Sequence, residues 1–244
     1  MSSAAPSAIS ARPPVWPRSA LPAFTLVSVL NLIFEGAGPR LGFDLTKPLL
    51  MPLLALAMLA TGRATPRPLL GALLGAFVGD IMLLFSGNLF LVGMAGFAAA
   101  HVCYISLFVR GGALRRRGRL VFAGGCYAVL WVVLITRLWP DLDSNMRIPV
   151  ACYSLLLAGM ATASFAAGGR TGLGGALFLV SDSLIAGGIA NWHMPTGTGF
   201  VVMLTYIVAQ YLLATGCMTF AERARLRPRT RSSRTRPRPR AFPR

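Results

Sequence analysis

Charge is scarce in this sequence. Only 13% of its 244 residues are charged, and seven of those are acidic. A soluble domain of this size carries about 25%, so a surface wetted on all sides is excluded. Lysine occurs once, at Lys47; the other twenty-three basic residues are arginine. Histidine occurs twice, as His101 and His193. A zinc site needs three or four ligands, and two histidines at different expected depths beside two aspartates make a poor set. No metal and no other cofactor is expected. The four cysteines (Cys103, Cys126, Cys152, Cys217) sit in apolar runs without CxxC spacing, which reads as neither a disulfide framework nor a zinc knuckle.

What is present is apolar, at 55% of all residues. Runs of roughly 17–25 residues, the length that crosses a bilayer, recur near 20–36, 46–62, 67–85, 88–110, 119–137, 148–168, 172–190 and 197–220. The fold class expected is an all-α integral membrane protein with eight transmembrane helices over 20–220. The run after residue 20 could pass for a signal-peptide core. It lacks a small-residue cleavage site and is followed by Glu35 and further spans, so it reads as the first helix. Residues 1–19, rich in Ala, Ser and Pro, predict a disordered N-tail. Residues 221–244 form an Arg/Pro-rich tail too polar to build a core.

The net charge of +17 suggests nucleic acid, but its distribution does not. The arginines lie in loops and tails between apolar spans, a topology signal and an attraction to anionic membrane lipid at the tail. With eight spans, the tails and the connections near 63–67, 110–119 and 168–172 share one side and hold 20 basic residues. The other side holds Arg40, Lys47, Arg137 and Arg147, matched by Glu35, Asp44, Asp141 and Asp143. The positive-inside rule places both termini in the cytoplasm of a multi-pass cell-membrane protein.

Two acids remain inside spans. Asp80 stands in Val78-Gly79-Asp80-Ile81-Met82, and Asp182 in Val180-Ser181-Asp182-Ser183-Leu184. A carboxylate in a span is costly and marks a working site more often than a helix cross-link. Counting ~1.5 Å per residue from the outer face, Asp80 lies about 8 Å down and Asp182 about 12 Å. Tyr153 and Tyr206 share that slab, and His101 and Gln210 lie about 20 Å down. Lys47 is expected at the outer mouth, on a helix N-terminus suited to a phosphate or as a snorkelling anchor. The starts Lys47-Pro48 and Arg147-Ile148-Pro149 precede Asp80 and Asp182 by 33 and 35 residues, which suggests an internal repeat of four plus four helices. Small residues before His101 suggest close helix packing. His193 reads as loop, and Trp192 as a belt residue. A Ser–His hydrolase using Ser181 or Ser183 with His101 lacks a nucleophile-elbow signature.

Several stretches together resemble one family: Lys47-Pro48-Leu49-Leu50-Met51-Pro52, Gly79-Asp80-Ile81-Met82-Leu83, His101-Val102-Cys103-Tyr104, Gly175-Ala176-Leu177-Phe178-Leu179-Val180-Ser181-Asp182-Ser183 and Tyr206-Ile207-Val208-Ala209-Gln210. They are similar to the YhhN/TMEM86 family, which contains the lysoplasmalogenases, over about 44–220. The resemblance implies eight spans and hydrolysis of the vinyl ether bond of lysoplasmalogen, a lysophospholipid, to a fatty aldehyde and a glycerophospho-base. It implies Asp80 and Asp182 as the catalytic pair. Lys47, His101, Tyr104, Tyr153, Ser181, Ser183, Tyr206 and Gln210 are the expected substrate-binding residues.

The chemistry suits two carboxyl groups. A vinyl ether is cleaved by protonating its β-carbon, which leaves an oxocarbenium ion for water to attack. Glycosidases divide a related task between an acid and a second carboxylate. Asp80, in the more apolar setting, is the expected acid, and Asp182 the expected base. A proton-coupled carrier and a non-catalytic lipid-binding protein could use the same acids.

Overall fold

The computed structural model describes residues 19–85 and 88–226. The greater part of both expected tails, 1–18 and 227–244, lies outside the described residues, as do Ser86 and Gly87. Among the described residues every regular element is a helix. In hydrocarbon no water is available to the backbone, so an apolar run must satisfy its own N–H and C=O groups, and the helix does that within one segment.

The helices are α1 (Ala20–Ala37), α2 (Arg40–Thr46), α3 (Leu50–Ala60), α4 (Arg67–Met82), α5 (Asn88–Arg110), α6 (Arg117–Leu138), α7 (Ser144–Ala167), α8 (Gly169–Ile189) and α9 (Thr198–Leu226). They make eight passes, because α2 and α3 run together as one apolar rod, Arg40–Ala60, through the 3-10 turn Lys47–Leu49. Seven passes have at least 18 residues and the apolar composition of a membrane span. The remaining one, α4, has 16 residues and is about 24 Å long. The internal repeat stays an expectation. Of its two basic starts, Lys47 lies in the 3-10 turn, whereas Arg147 lies in the first turn of α7 and donates Nε to Leu142 O at 3.1 Å.

The second pass differs from its expected start. Pro48 has no N–H to donate and breaks the ladder, but α2 stacks on α3 across it in place of a free helix end. Lys47 N–H is bonded to Phe43 O. Lys47 therefore does not sit on an open helix N-terminus, and any anion it holds must be held by its side chain.

The passes pack through narrow faces. α1 buries Ala20, Phe24, Ser28 and Asn31, a single stripe at helical spacing, and leaves Leu26, Val29 and Ile33 to the lipid side. Asn31 donates to Thr46 Oγ1 at 2.9 Å, which ties α1 to α2. The most extensive packing is α4 on α5 and α8 on α9. At the α4–α5 crossing there is no room for a side chain. A methyl on Gly75 would meet Gly96 O at 2.8 Å, and one on Gly96 would meet Gly75 O at 2.9 Å. Small residues at such a crossing let two backbones approach closely. α6 buries little of itself and lies mainly along α7.

Candidate active site

Asp80 occurs near the end of α4, and Asp182 in the second half of α8. Both line one cavity in the half of the bundle that holds the end of α4 and the start of α5. The cavity volume there is about 90 Å³. Its wall is almost wholly apolar side chains from α5, α6, α7, α8 and α9. Into it face Lys47, Tyr153, Ser154, Ser181, Ser183 and Tyr206 beside the two acids.

Each aspartate is tethered through one oxygen by a tyrosine from another helix. Tyr206 of α9 donates its hydroxyl to Asp80 Oδ2 at 2.6 Å, and Tyr153 of α7 donates its hydroxyl to Asp182 Oδ2. Among the described residues no hydrogen bond engages Oδ1 of either acid. Bonds from O–H to a carboxylate are among the strong ones, so each carboxyl group is held at one oxygen and free to act through the other. Asp80 is 1% exposed, whereas Asp182 is only partly buried.

The tyrosines are themselves positioned from behind. Tyr104 donates to Gln210 Oε1 at 2.8 Å, and Gln210 Nε2 donates to the Tyr206 hydroxyl at 3.4 Å. Phe97 and Phe178 meet the Tyr206 ring edge-on, with centroids at 5.8 and 5.6 Å, a favoured aromatic geometry. On the other arm, His101 Nε2 lies 3.2 Å from the Tyr153 hydroxyl. That hydroxyl spends its proton on Asp182, so Nε2 must carry the hydrogen here, which makes Nδ1 an acceptor. Nδ1 is buried without a partner.

The expected site residues therefore separate into two groups. Asp80, Asp182, Lys47, Tyr153, Ser181, Ser183 and Tyr206 come together at the cavity. His101, Tyr104 and Gln210 do not line it; all three are fully buried, His101 and Gln210 one bond behind a cavity tyrosine and Tyr104 one bond further back. Ser181 is bonded to Val202 O at 3.0 Å and Ser183 to Leu179 O at 2.7 Å, and neither is bonded to His101. Lys47 Nζ sits 5.5 Å from the Phe43 ring centroid, a cation–π contact at the cavity rim. His193 lies in the α8–α9 connection, where Trp192 donates to Asp141 Oδ2 at 2.8 Å. Sequence reasoning missed Trp131 and Ser154, which line the cavity and bond each other at 3.0 Å. A tryptophan well inside an apolar run is the signal for the first; a lone serine in a span carries none.

Fold and site together define a polytopic helical membrane protein with two acids facing an intramembrane cavity. The YhhN family model matches residues 43–217, and the chain belongs to that family. Among curated proteins it is similar to lysoplasmalogenase TMEM86B from Homo sapiens, 35% identical over 151 residues that span 61% of this chain and 62% of that one. The Sus scrofa protein of the same name is 33% identical over 181 residues, 74% of this chain and 75% of that one. The Rattus norvegicus protein is 32% identical over 172 residues, 70% of each. No solved structure matches the chain.

Proposed function

We propose that this protein is a membrane-embedded hydrolase that cleaves the vinyl ether bond of lysoplasmalogen, with Asp80 as general acid and Asp182 as general base. The observation that carries the reading is the pair itself: two acids from separate helices share one apolar cavity, each tethered at a single oxygen. The lysoplasmalogenase names of the relatives supply the substrate class.

Asp80 gives a proton to the β-carbon of the alkenyl chain, and the double-bond electrons form that C–H bond. The positive charge rests on the α-carbon and the ether oxygen, steadied by the second carboxylate. Water adds to the α-carbon as Asp182 takes its proton, giving a hemiacetal. Collapse of the hemiacetal releases the fatty aldehyde and the glycerol hydroxyl. The division of labour follows access. The acid must meet only substrate and is the one sealed from water, while the base must meet water and is the one more open to the cavity. Lys47 at the rim supplies the positive charge for the headgroup phosphate.

Turnover of lysoplasmalogen by purified protein, with aldehyde read by mass spectrometry, tests the activity. Asp80→Asn and Asp182→Asn should each lower kcat by about 10²–10⁴-fold, the range for losing a general acid or base. Both should still elute as folded protein. Lys47→Ala should chiefly raise KM. Either Asn variant keeping more than about a tenth of the activity would remove the paired-carboxylate mechanism. Flux across proteoliposomes without product would favour a carrier.

A further inference from the structure

We propose that the hydrocarbon chain of the substrate lies in a slot between α5 and α6 that opens sideways into the bilayer, and that Met94 and Leu134 set the chain length it accepts. The inference rests on the lysolipid reading above.

The slot follows from how α6 is held. It packs along α7, touches α8 and hardly meets α5. Both α5 and α6 nevertheless line the cavity, through Phe90 and Met94 on one side and Leu130, Trp131 and Leu134 on the other. The backbones of α5 and α6 thus stand apart, and only side chains span the space between them, Met94 of α5 packing into the cluster that holds Ile135 and Leu138 of α6. Leu130 marks the edge of that space, since it lines the cavity and is still 44% exposed. Just beyond it, Val129, Val132 and Val133 of α6 are exposed to the lipid side.

The order of groups across the cavity fits one lipid pose. The turn that carries Lys47 packs on α4, the helix of Asp80, whereas α6 packs on α7 and α8, the helices of Tyr153 and Asp182. Lys47 and α6 thus stand on opposite sides of the acid pair. A lysolipid with its phosphate at Lys47 and its vinyl ether between the acids must send its chain toward α6. The lining there is aliphatic, with Trp131 secured by its bond to Ser154, so a chain leaves no polar group unpaired. A sideways opening also lets a lipid enter without leaving the membrane.

The test uses the full chain in nanodiscs and a saturated hexadecyl-ether lysophosphatidylcholine with a diazirine at the far end of its chain. This probe has no vinyl ether and is not turned over. Photolabel should fall on residues 90–97 and 130–138 and be competed by excess unlabelled lysolipid. Label on α1 or on the outer face of α6, or label that is not competed, would overturn the slot. In a second arm, Leu134→Trp should lower kcat/KM for a hexadecenyl substrate about tenfold or more relative to an octenyl one, the scale of methylene discrimination in apolar pockets. A uniform fall across both lengths would count against the slot. The two readings fail separately: competed label without any aldehyde sinks the hydrolase and keeps the slot, and aldehyde without slot label does the reverse.

Discussion

Tyr206 reaches Asp80 because it has no other place to put its hydroxyl. Phe97 and Phe178 box its ring, Gln210 donates to its oxygen, and the bundle seals it from water. Removing such a hydroxyl leaves the carboxyl group in place but untethered. Tyr206→Phe should therefore lower kcat with little change in KM. A hydrogen bond to a charged group is worth about 1.5–3 kcal/mol, and each 1.36 kcal/mol is tenfold in rate, so the fall should be about tenfold or somewhat more. Tyr153→Phe should lower kcat less, because Asp182 as base loses its charge in the step and the hydroxyl then serves mainly to position it. His101 acts one bond further back, so His101→Phe should do less than Asp182→Asn, and His101→Gln, which restores a donor, should keep more activity than His101→Phe. Steady-state kinetics of the set against the two Asn variants checks the order; a His101 variant as damaged as Asp182→Asn would place the histidine in the chemistry itself. The two acids were legible in the sequence because a carboxyl group in a span is costly and rare. Their tethers were half legible: depth counting put Tyr153 and Tyr206 at the right level. Gln210, four residues after Tyr206 on α9, was within reach of helical spacing, but sequence could not say that Tyr104 would stand behind it, because Tyr104 comes from α5, a helix distant in sequence.

The element that places Asp80 is the α4–α5 pair, and its closeness depends on glycine. Gly71, Gly75 and Gly79 recur every fourth residue along α4, and Gly93 and Gly96 face them from α5. At Gly75 a Cβ meets backbone atoms, Gly96 O at 2.8 Å and Ala100 N at 3.0 Å. Backbone cannot swing aside as a side chain can, so the helices must separate. Gly75→Val should cost about 1–3 kcal/mol, the usual scale of overpacking. It should also lower turnover, because Asp80 rides on the displaced helix while Tyr206 does not. Thermal unfolding in detergent with activity on the same sample checks both; a stable, fully active variant would mean that α4 shifts without moving its carboxyl group. Gly118→Ala, with open space around its Cβ, is the control. Only the α5 side of this crossing was read from the sequence, in the small residues before His101; the α4 glycines carry the same signal at their four-residue spacing. The start of the second pass was not legible. Lys47-Pro48 reads as a helix start, and nothing local shows that α2 stacks end to end on α3 through the turn.

At the scale of the whole molecule, most of the arginines and the cavity lie at opposite ends. Arg63, Arg67, Arg110, Arg115, Arg116, Arg117, Arg119, Arg170, Arg223 and Arg225 belong to the connections and helix ends on the side of the C-terminus. None of them lines the cavity of Asp80 and Asp182. Eight passes put both termini on one side, and the positive-inside rule predicts a cytoplasmic location for that side. On that prediction the proposed reaction would take place in the outer half of the bilayer. Reporter fusions at Arg244 and within 115–119 should both report cytoplasm, and a fusion in the α8–α9 connection should report the outside. An external signal from either of the first two would invert the molecule and move the cavity to the inner half. The same separation predicts the behaviour of the Arg/Pro tail. Each basic residue near an anionic membrane surface is worth about 1 kcal/mol of attraction, but the tail begins at the end of α9 furthest from the acids. Deleting 227–244 should weaken association with anionic vesicles and leave kcat in detergent within about twofold, because a surface attraction of this kind acts on the membrane and not on the acid–base step. Loss of turnover in a folded, truncated protein would mean that the tail reaches the chemistry, and that the basic end does more than orient the chain.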